Sequence, residues 1–305
     1  MTFTPEQLKE RRGFVGASEC ASALGMNPFF SQVQLYLDKI GEGTPIEETL
    51  PMLVGQALEP VSLQLFTRET QLAVDEGSRQ RQYTDPTCRW RRCTVDGIAK
   101  DGWVIEAKSS GDFRGWGDGG DEVPMHYMYN AMHSLACVSE APGVYFPVII
   151  GGRTFRNYVV RRDPDLVELV RKAEEAFMEL VRKRRPPEPK DREDVLRLYP
   201  KSNEMFVQGD EIIESKVRDH AKAKGEAKAL DTRIELLARD ITNFMGAAGT
   251  LKRMVLKGPG EPLATWNSQE RRSIDADALR ANYPDIAKAV TKVTSTRVFL
   301  NKVKA

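Results

Sequence analysis

The hydrophobic and polar positions along residues 1–187 follow two periods. Apolar residues recur at threes and fours in some stretches, which predicts helices, and at every second position in others, which predicts strands. The predicted helices are 4–12, 19–24, 33–40, 52–70, 124–138 and 165–183. The predicted strands are 72–74, 80–83, 92–98, 103–108, 144–150 and 155–161. Helices that flank a mixed sheet indicate an α/β core of about 190 residues.

The pattern changes after residue 190. Residues 191–208 are charged and polar, which predicts a linker. Apolar positions three and four apart then run through 209–245 and predict one long helix. A small hairpin turned by Gly258-Pro259-Gly260, a short helix at 275–282 and a strand at 296–303 follow. We therefore predict three parts: a core (1–190), a linker (191–208) and a mainly helical extension with a small β element (209–305).

The predicted hairpin at 92–108 is the most informative stretch. Its three-residue loop ends on Gly102, where such loops turn left-handed. This loop pairs 97 with 105 and therefore sets Asp96 across from Glu106. Because side chains alternate between faces, Lys108 points to the same side as Glu106. The opposite face is apolar and can meet a core; it holds Val95, Trp103, Ile105 and Ala107.

Two explanations fit a face that holds Asp96, Glu106 and Lys108. One is an ordinary cross-strand ion pair, which is common and weak. The other is a metal site, because adjacent carboxylates repel unless one is protonated or a cation lies between them. Mg²⁺ is bound by one or two carboxylates together with phosphate oxygens, and a nearby lysine can orient the attacking water. The hairpin alone favours the ion pair.

Two other predicted helices bring further polar side chains. Glu59 lies on the helix upstream of the hairpin. Downstream, Tyr127, Asn130 and His133 are spaced at i, i+3 and i+6, which is roughly one helix face. Ser18 is predicted to be the N-cap of helix 19–24, whose first amides could hold a phosphate.

Composition narrows the classes of protein and metal site. The chain has 305 residues, 41% apolar and 29% charged, with a net charge of +1, so it is not an obvious polyanion binder. No apolar run reaches the roughly 18 residues of a membrane span. The polar N-terminus lacks the apolar region of a signal peptide, so we expect a cytoplasmic protein.

The cysteines and histidines favour oxygen ligands for any metal. The four cysteines are scattered without a Cys-x-x-Cys pair, which argues against a zinc ribbon or a disulfide framework. A cluster of distant cysteines remains an alternative. The three histidines are too few and too spread for a histidine-based site, which leaves carboxylates.

Five short motifs, taken in order, resemble the phage recombination exonucleases. These are the lambda-exonuclease and YqaJ-type viral recombinase families, within the PD-(D/E)xK nuclease superfamily. The resemblance covers about residues 10–187 and implies a restriction-endonuclease-like core. The motifs are Arg11 to Glu19, Gly55 to Glu59, Val95 to Gly97, Ile105 to Lys108 and Pro124 to His133.

The resemblance implies a site with two Mg²⁺ ions, for which Mn²⁺ is a substitute. Asp96, Glu106 and the main-chain carbonyl of Ala107 would be metal ligands, and Glu59 would help hold the second ion. Lys108 would position or help deprotonate the attacking water.

The resemblance also assigns roles outside the hairpin. Arg11 and Ser18 would bind the 5′ phosphate of DNA, which gives 5′-to-3′ polarity. Tyr127 would support the site. Asn130 would assist at the metal, although the family has a glutamine there and Asn130 is one methylene shorter.

The expected function is therefore a Mg²⁺-dependent exonuclease acting 5′-to-3′ on double-stranded DNA ends. It would generate 3′ single strands for phage-type recombination and pass them to a single-strand annealing protein. The resemblance also implies a ring-like homo-oligomer, in the cytoplasm of a bacterial cell or a phage-infected host. Two alternatives stay open: a structure-specific endonuclease on the same core, and a non-catalytic DNA-binding scaffold. Nothing in the sequence assigns a role to residues 205–305.

Overall fold

The computed structural model describes residues 9–44, 48–203, 205–252, 262–270, 272–294, 297–301 and 303. It divides into two compact units, residues 1–200 and 201–305. The helices of the first unit are α1 (Ala17–Ala23), α2 (Gln32–Ile40), α3 (Leu50–Thr70), α4 (Met125–Cys137), α5 (Pro164–Arg182) and α6 (Arg192–Leu198). Its strands are β1 (Gln82–Thr84), β2 (Arg92–Thr94), β3 (Gly97–Ile98), β4 (Val104–Ile105), β5 (Lys108–Ser110), β6 (Gly143–Ile150) and β7 (Thr154–Arg161).

Strand β6 is the centre of a five-stranded mixed sheet. It pairs antiparallel with β7 and parallel with both β4 and β5, while β3 pairs antiparallel with β4 at the edge. Val104 pairs with Val144 and Lys108 with Val148, which is the same offset. β4 and β5 are therefore two pieces of one strand, interrupted at Glu106 and Ala107. The predicted mixed sheet is confirmed.

Helices cover both faces of this sheet. Phe146 and Val148 of β6 pack in the main core with α4, whereas Ile105 of β4 packs on the other side against Leu63 and Phe66 of α3. This explains why β6 is almost continuously apolar, as strands buried on both faces are. The predicted flanking helices are confirmed.

The predicted hairpin register is also confirmed. Gly97 pairs with Ile105, and Gly102 adopts a left-handed φ of +87° in the loop. The loop is fixed by two contacts to Tyr145 of β6. The Tyr145 hydroxyl donates to Asp101 at 2.9 Å, and the Tyr145 ring stacks on the ring of Trp103 with centroids 4.8 Å apart.

The apolar side of the hairpin differs from the prediction. Val95 and Ile105 were expected on one face, but Val95 packs in the main core with Val104 and Ile105 packs against α3. The chain bends at Asp96, between β2 and β3, and this bend interrupts the alternation of side chains.

Two predicted elements in the first unit differ from the structure. Residues 72–74 form no strand; Val74 makes one isolated bridge to Ala99. Helix α6 lies in the segment 191–208 that the sequence predicts to be a linker. Its Asp194 is buried and accepts a hydrogen bond from the Ser31 hydroxyl at the start of α2 (2.6 Å). The predicted helix 4–12 lies partly outside the described residues, and 9–11 are helical.

The second unit contains the long helix α7 (Glu211–Met245), the short helices α8 (Ala276–Asn282) and α9 (Pro284–Val290), and the antiparallel strands β8 (Thr250–Lys252) and β9 (Pro262–Thr265). The predicted turn at 258–260 lies outside the described residues. The strand predicted at 296–303 is wrong for the part that is described, since 297–301 and 303 are irregular. Within the described ranges, no helix has both the length and the apolar character of a membrane span.

Candidate active site

Asp96, Glu106 and Lys108 lie together at the junction of β3, β4 and β5. Lys108 Nζ is 3.0 Å from Glu106 Oε2, and Asp96 Oδ2 accepts a 2.8 Å hydrogen bond from the Ala107 N–H. The Lys108 and Glu106 side chains are 21% and 13% exposed, so both are reachable from solvent but largely enclosed. The main-chain interruption at Glu106 and Ala107 thus coincides with the proposed metal ligands.

The site is short of positive charge. Burial raises the pKa of Asp96 to about 7, and the negative charges of Glu106 and Glu59 add to this effect. Lys108 and the Ala107 N–H oppose the shift only in part. Burial opposes the charge of Lys108, but Glu106 and Asp96 raise its pKa above the ordinary value, so it is an ammonium at neutral pH. One lysine therefore offsets the charges of Glu106 and Asp96, while Glu59 adds further negative charge at Asp96.

This donor set fits a divalent cation. A carboxyl group whose pKa is raised by neighbouring carboxylates is stabilised as the anion when a dication binds among them. Donors that are all oxygen atoms match Mg²⁺ or Mn²⁺. The negative charge of Glu59, at the half-buried middle of α3, helps to raise the pKa of Asp96.

Helix α4 brings Tyr127 and Ser134 to the site. They are seven residues apart, about two turns, and so share a face. Lys108 Nζ lies 5.8 Å from the centre of the Tyr127 ring, and the Ser134 hydroxyl donates to Glu106 Oε1 at 3.2 Å. The sequence analysis missed Ser134. Its signal was the i, i+7 relation to Tyr127.

Asn130 and His133 face other neighbours. The Asn130 amide nitrogen donates to the Ala17 carbonyl of α1 at 2.8 Å and to the His126 carbonyl at 3.1 Å. The prediction that Tyr127, Asn130 and His133 share one face is therefore wrong, because six residues of helix turn the side chain about 120° from its start. Direct assistance of Asn130 at the metal stays a prediction.

His133 belongs to a buried ion-pair network behind the site. Its Nδ1 lies 2.6 Å from Glu174 Oε1, and Arg91 Nε donates to Glu174 Oε2 at 2.5 Å. Arg91 and Arg171 both bind Asp85 at 2.9 Å. Burial opposes ionisation of Glu174, but His133 and Arg91 lower its pKa; burial likewise opposes charge on His133, but Glu174 raises its pKa. The network joins α4, α5 and the β1–β2 connection.

Cys20 lies beside this network. Among the residues that the structure describes, Cys20, His133 and Glu174 are the group whose ligand atoms all lie within 4.8 Å of one another. The long separation of these residues along the chain hid this cluster from the sequence analysis. Arg91 and His133 already satisfy Glu174, and burial together with Glu174 raises the pKa of the Cys20 thiol far above its ordinary value. The cluster is thus satisfied by hydrogen bonds and ion pairs.

Arg11 lies in a second ionic group, at the start of α1. Its Nη2 is 3.0 Å from Glu19 Oε1, and Glu19 Oε2 binds Lys39 at 2.7 Å and the Gly16 N–H at 2.9 Å. Burial opposes ionisation of Glu19, yet Lys39 and Arg11 lower its pKa. The N-cap is Gly16 and not the predicted Ser18, because the Glu19 carboxylate accepts the cap N–H. Ser18 is exposed within the first turn.

Residues 6–141 match the model of the YqaJ-like viral recombinase domain. The matched segment contains Arg11, Glu59, the hairpin and all of α4, so every predicted site residue lies inside it.

Individual proteins are similar over a longer span. The uncharacterized protein YqaJ of Bacillus subtilis (strain 168) is 24% identical over 311 residues, which cover 96% of this chain and 92% of that protein. An alkaline exonuclease (LHK-Exo) from Laribacter hongkongensis superposes with a TM-score of 0.48 at 19% identity, over 59% of this chain and 94% of that one. A phage related exonuclease from Haemophilus somnus 129PT superposes with a TM-score of 0.45 at 11% identity, over 56% and 94%.

Proposed function

We propose that this chain is a metal-dependent DNA exonuclease that degrades double-stranded ends from 5′ to 3′. The supporting observation is the joint placement of Asp96, Glu106 and Lys108 in one enclosed site, with Glu59 acting on the same carboxyl group. An ordinary cross-strand ion pair does not account for a site in which Asp96 and Glu59 add negative charge beside the pair of Glu106 and Lys108. The viral recombinase family supports a role in DNA recombination.

Hydrolysis of a phosphodiester needs a positioned water, a neutralised phosphate and a stabilised leaving group. Bound Mg²⁺ ions supply charge neutralisation and lower the pKa of a bound water. Asp96, Glu106 and the Ala107 carbonyl would hold one ion, and Glu59 would help hold a second. Lys108 would orient the attacking water and offset negative charge in the transition state.

The surroundings restrict how these groups move. The Ser134 hydroxyl and the Lys108 ammonium each bind one oxygen of Glu106, so the carboxylate is fixed from both sides. Tyr127 lies against the Lys108 ammonium and limits its motion. For Asn130 we propose a positioning role, in which its bond to Ala17 fixes α4 against α1.

For the polarity we propose that Arg11 and Ser18 receive the 5′ phosphate. Arg11 already binds a carboxylate, Glu19, so an anion is a suitable partner for its guanidinium. Cleavage from the 5′ end would leave 3′ single strands, which an annealing protein would then receive.

Digestion of two substrates tests this function. Linear duplex with 5′ phosphates should be degraded in the presence of Mg²⁺ and stay intact with EDTA, while covalently closed circular duplex should stay intact in both. Cutting of the closed circle would contradict an exonuclease and support an endonuclease on the same core. No cutting of either substrate with Mg²⁺ or Mn²⁺ would support the non-catalytic scaffold.

A further inference from the structure

Within the second unit, the middle of helix α7 has no cover among the described residues. Every residue from 222 to 241 is exposed. At the beginning of the helix the C-terminal segment packs on it, since Asn301 donates to the Val217 carbonyl at 2.7 Å and Phe299 contacts His220. A long helix that is exposed on all sides is only marginally stable in water, and tertiary packing normally stabilises it. A partner surface that packs on the exposed segment would therefore stabilise this helix.

The apolar residues of this segment form a heptad seam. From Ala227 they are spaced alternately by three and four residues, which is the 3.5-residue period of a coiled coil. Leu230, Ile234 and Leu237 are 57%, 54% and 53% exposed, and Phe244 is 80% exposed. The seam consists of Ala227, Leu230, Ile234, Leu237, Ile241 and Phe244.

We propose that a second copy of this chain covers the seam, with the two α7 helices antiparallel and Ile234 packed against Leu237 of the second copy. This register also places Leu230 opposite Ile241 and Ala227 opposite Phe244. The smallest residue of the seam, Ala227, then faces the largest, Phe244, and the other facing pairs each combine a leucine with an isoleucine. A parallel pair would instead set Phe244 against Phe244 and Ala227 against Ala227.

The charges beside the seam select the same arrangement. In the antiparallel register Arg233 lies next to Asp240 of the second copy, and the two-fold symmetry makes this contact twice. A shift by one heptad in either direction would bring Arg233 against Arg233 or Asp240 against Asp240. A parallel pair would bring Glu226 against Asp231. Only the proposed register has attractive flanking pairs and no repulsive ones, and such charges set the orientation of coiled coils.

Charge reversal tests the register on the full-length chain. Arg233→Asp and Asp240→Arg each place two like-charged pairs across the proposed interface, so each variant alone should have half the mass of the wild-type assembly by analytical ultracentrifugation. An equimolar mixture of the two variants restores both attractive contacts and should regain the wild-type mass. In a parallel pair neither residue faces a charge, so unchanged association of both single variants would overturn the register.

An apolar pair of variants tests the seam itself. Leu237→Asp should halve the mass of the assembly, whatever the association of the first unit. Leu236→Asp removes a similarly exposed leucine one residue outside the seam and should leave the mass unchanged. Circular dichroism of both variants checks that α7 remains helical at high concentration. A wild-type chain that does not pair, or a Leu237→Asp variant that keeps the wild-type mass, would overturn the proposal.

Discussion

Lys108 Nζ lies 3.0 Å from Glu106 Oε2; Lys108 begins β5, and Glu106 lies in the two-residue interruption between β4 and β5. Because β4 and β5 keep the same offset to β6, the alternation of side chains continues across the interruption, and Glu106 and Lys108 point to the same face. The pairing of β5 with β6 thus fixes Lys108 beside the Glu106 carboxylate. Asp96 reaches the same point from β3 through its bond to the Ala107 N–H.

The first prediction concerns Lys108. Lys108→Ala should reduce cleavage by about 10²-fold or more, because the variant loses the group that orients the water and offsets transition-state charge. Mg²⁺ binding should be retained or strengthened, since the three carboxylates remain and a competing cation is gone. Single-turnover cleavage and calorimetric Mg²⁺ titration measure the two effects. Lys100→Ala, on the exposed loop of the same hairpin, is the matched control and should cleave at the wild-type rate.

The second prediction concerns pH and Asp96. Its pKa of about 7 lies above the ordinary value, so the folded state binds this proton more tightly than the unfolded chain does. Without metal, the contribution of Asp96 to stability therefore decreases as the pH rises from about 4 to about 7. Mg²⁺ must displace this proton below about pH 7, whereas above about pH 7 the carboxyl group is already ionised. The increase in Tm caused by Mg²⁺ should be larger at about pH 8 than at about pH 6.

Asp96→Asn is the control for this pH dependence. The amide neither titrates nor repels Glu106, so without metal the variant should be at least as stable as the wild type at alkaline pH. It should also gain little stability from Mg²⁺ at either pH. A wild-type response to Mg²⁺ that is equal at both pH values would show that Asp96 does not ligate the ion.

The third prediction concerns the buried network. Glu174→Ala removes the carboxylate that the buried Arg91 and His133 share and leaves Arg91 with Asp85, which should lower the free energy of unfolding by about 3–5 kcal/mol. Urea denaturation followed by circular dichroism measures the change. Glu175→Ala removes the neighbouring, exposed carboxylate and should cost no more than about 0.5 kcal/mol. Similar losses in both variants would mean that the network adds little to stability.

The fourth prediction concerns the 5′ phosphate. Wild-type protein should digest duplex with 5′-phosphate ends faster than duplex with 5′-hydroxyl ends. In Arg11→Ala the difference should shrink, because digestion of phosphorylated ends slows while that of hydroxyl ends stays the same. Rates for both substrates are compared under single-turnover conditions at low salt. Equal wild-type rates would remove the phosphate-binding role of Arg11 and Ser18.

Local patterns were sufficient to predict the centre of the fold. The loop ending at Gly102 and the two-residue period fix which side chains face each other. These two features were enough to predict that Asp96, Glu106 and Lys108 lie together in one site. The long apolar run of β6 gave the buried strand. These features depend on neighbours close in sequence or on strict alternation, which a single sequence displays.

Features that depend on distant contacts were not predictable in the same way. The residues that flank Asn130 in sequence do not show that its amide forms a hydrogen bond to Ala17 of α1. Those that flank His133 do not show that Glu174, 41 residues later in the chain, lies beside it. The linker prediction failed at α6 because the packing of Asp194 on Ser31 stabilises a short charged helix. Ser134 was missed because serine has no distinctive pattern, although its spacing from Tyr127 places it on the same face of α4.

The most direct test of the central claim compares wild-type protein with Glu106→Gln on linear 5′-phosphorylated duplex across a Mg²⁺ titration. The substitution keeps the size of the side chain and removes one negative charge from the site. The wild type should digest the duplex only when Mg²⁺ is present, and Glu106→Gln should leave it intact at every Mg²⁺ concentration while folding and binding DNA like the wild type. Digestion by Glu106→Gln at the wild-type rate, or wild-type digestion in EDTA, would contradict a metal-dependent site at Asp96, Glu106 and Lys108.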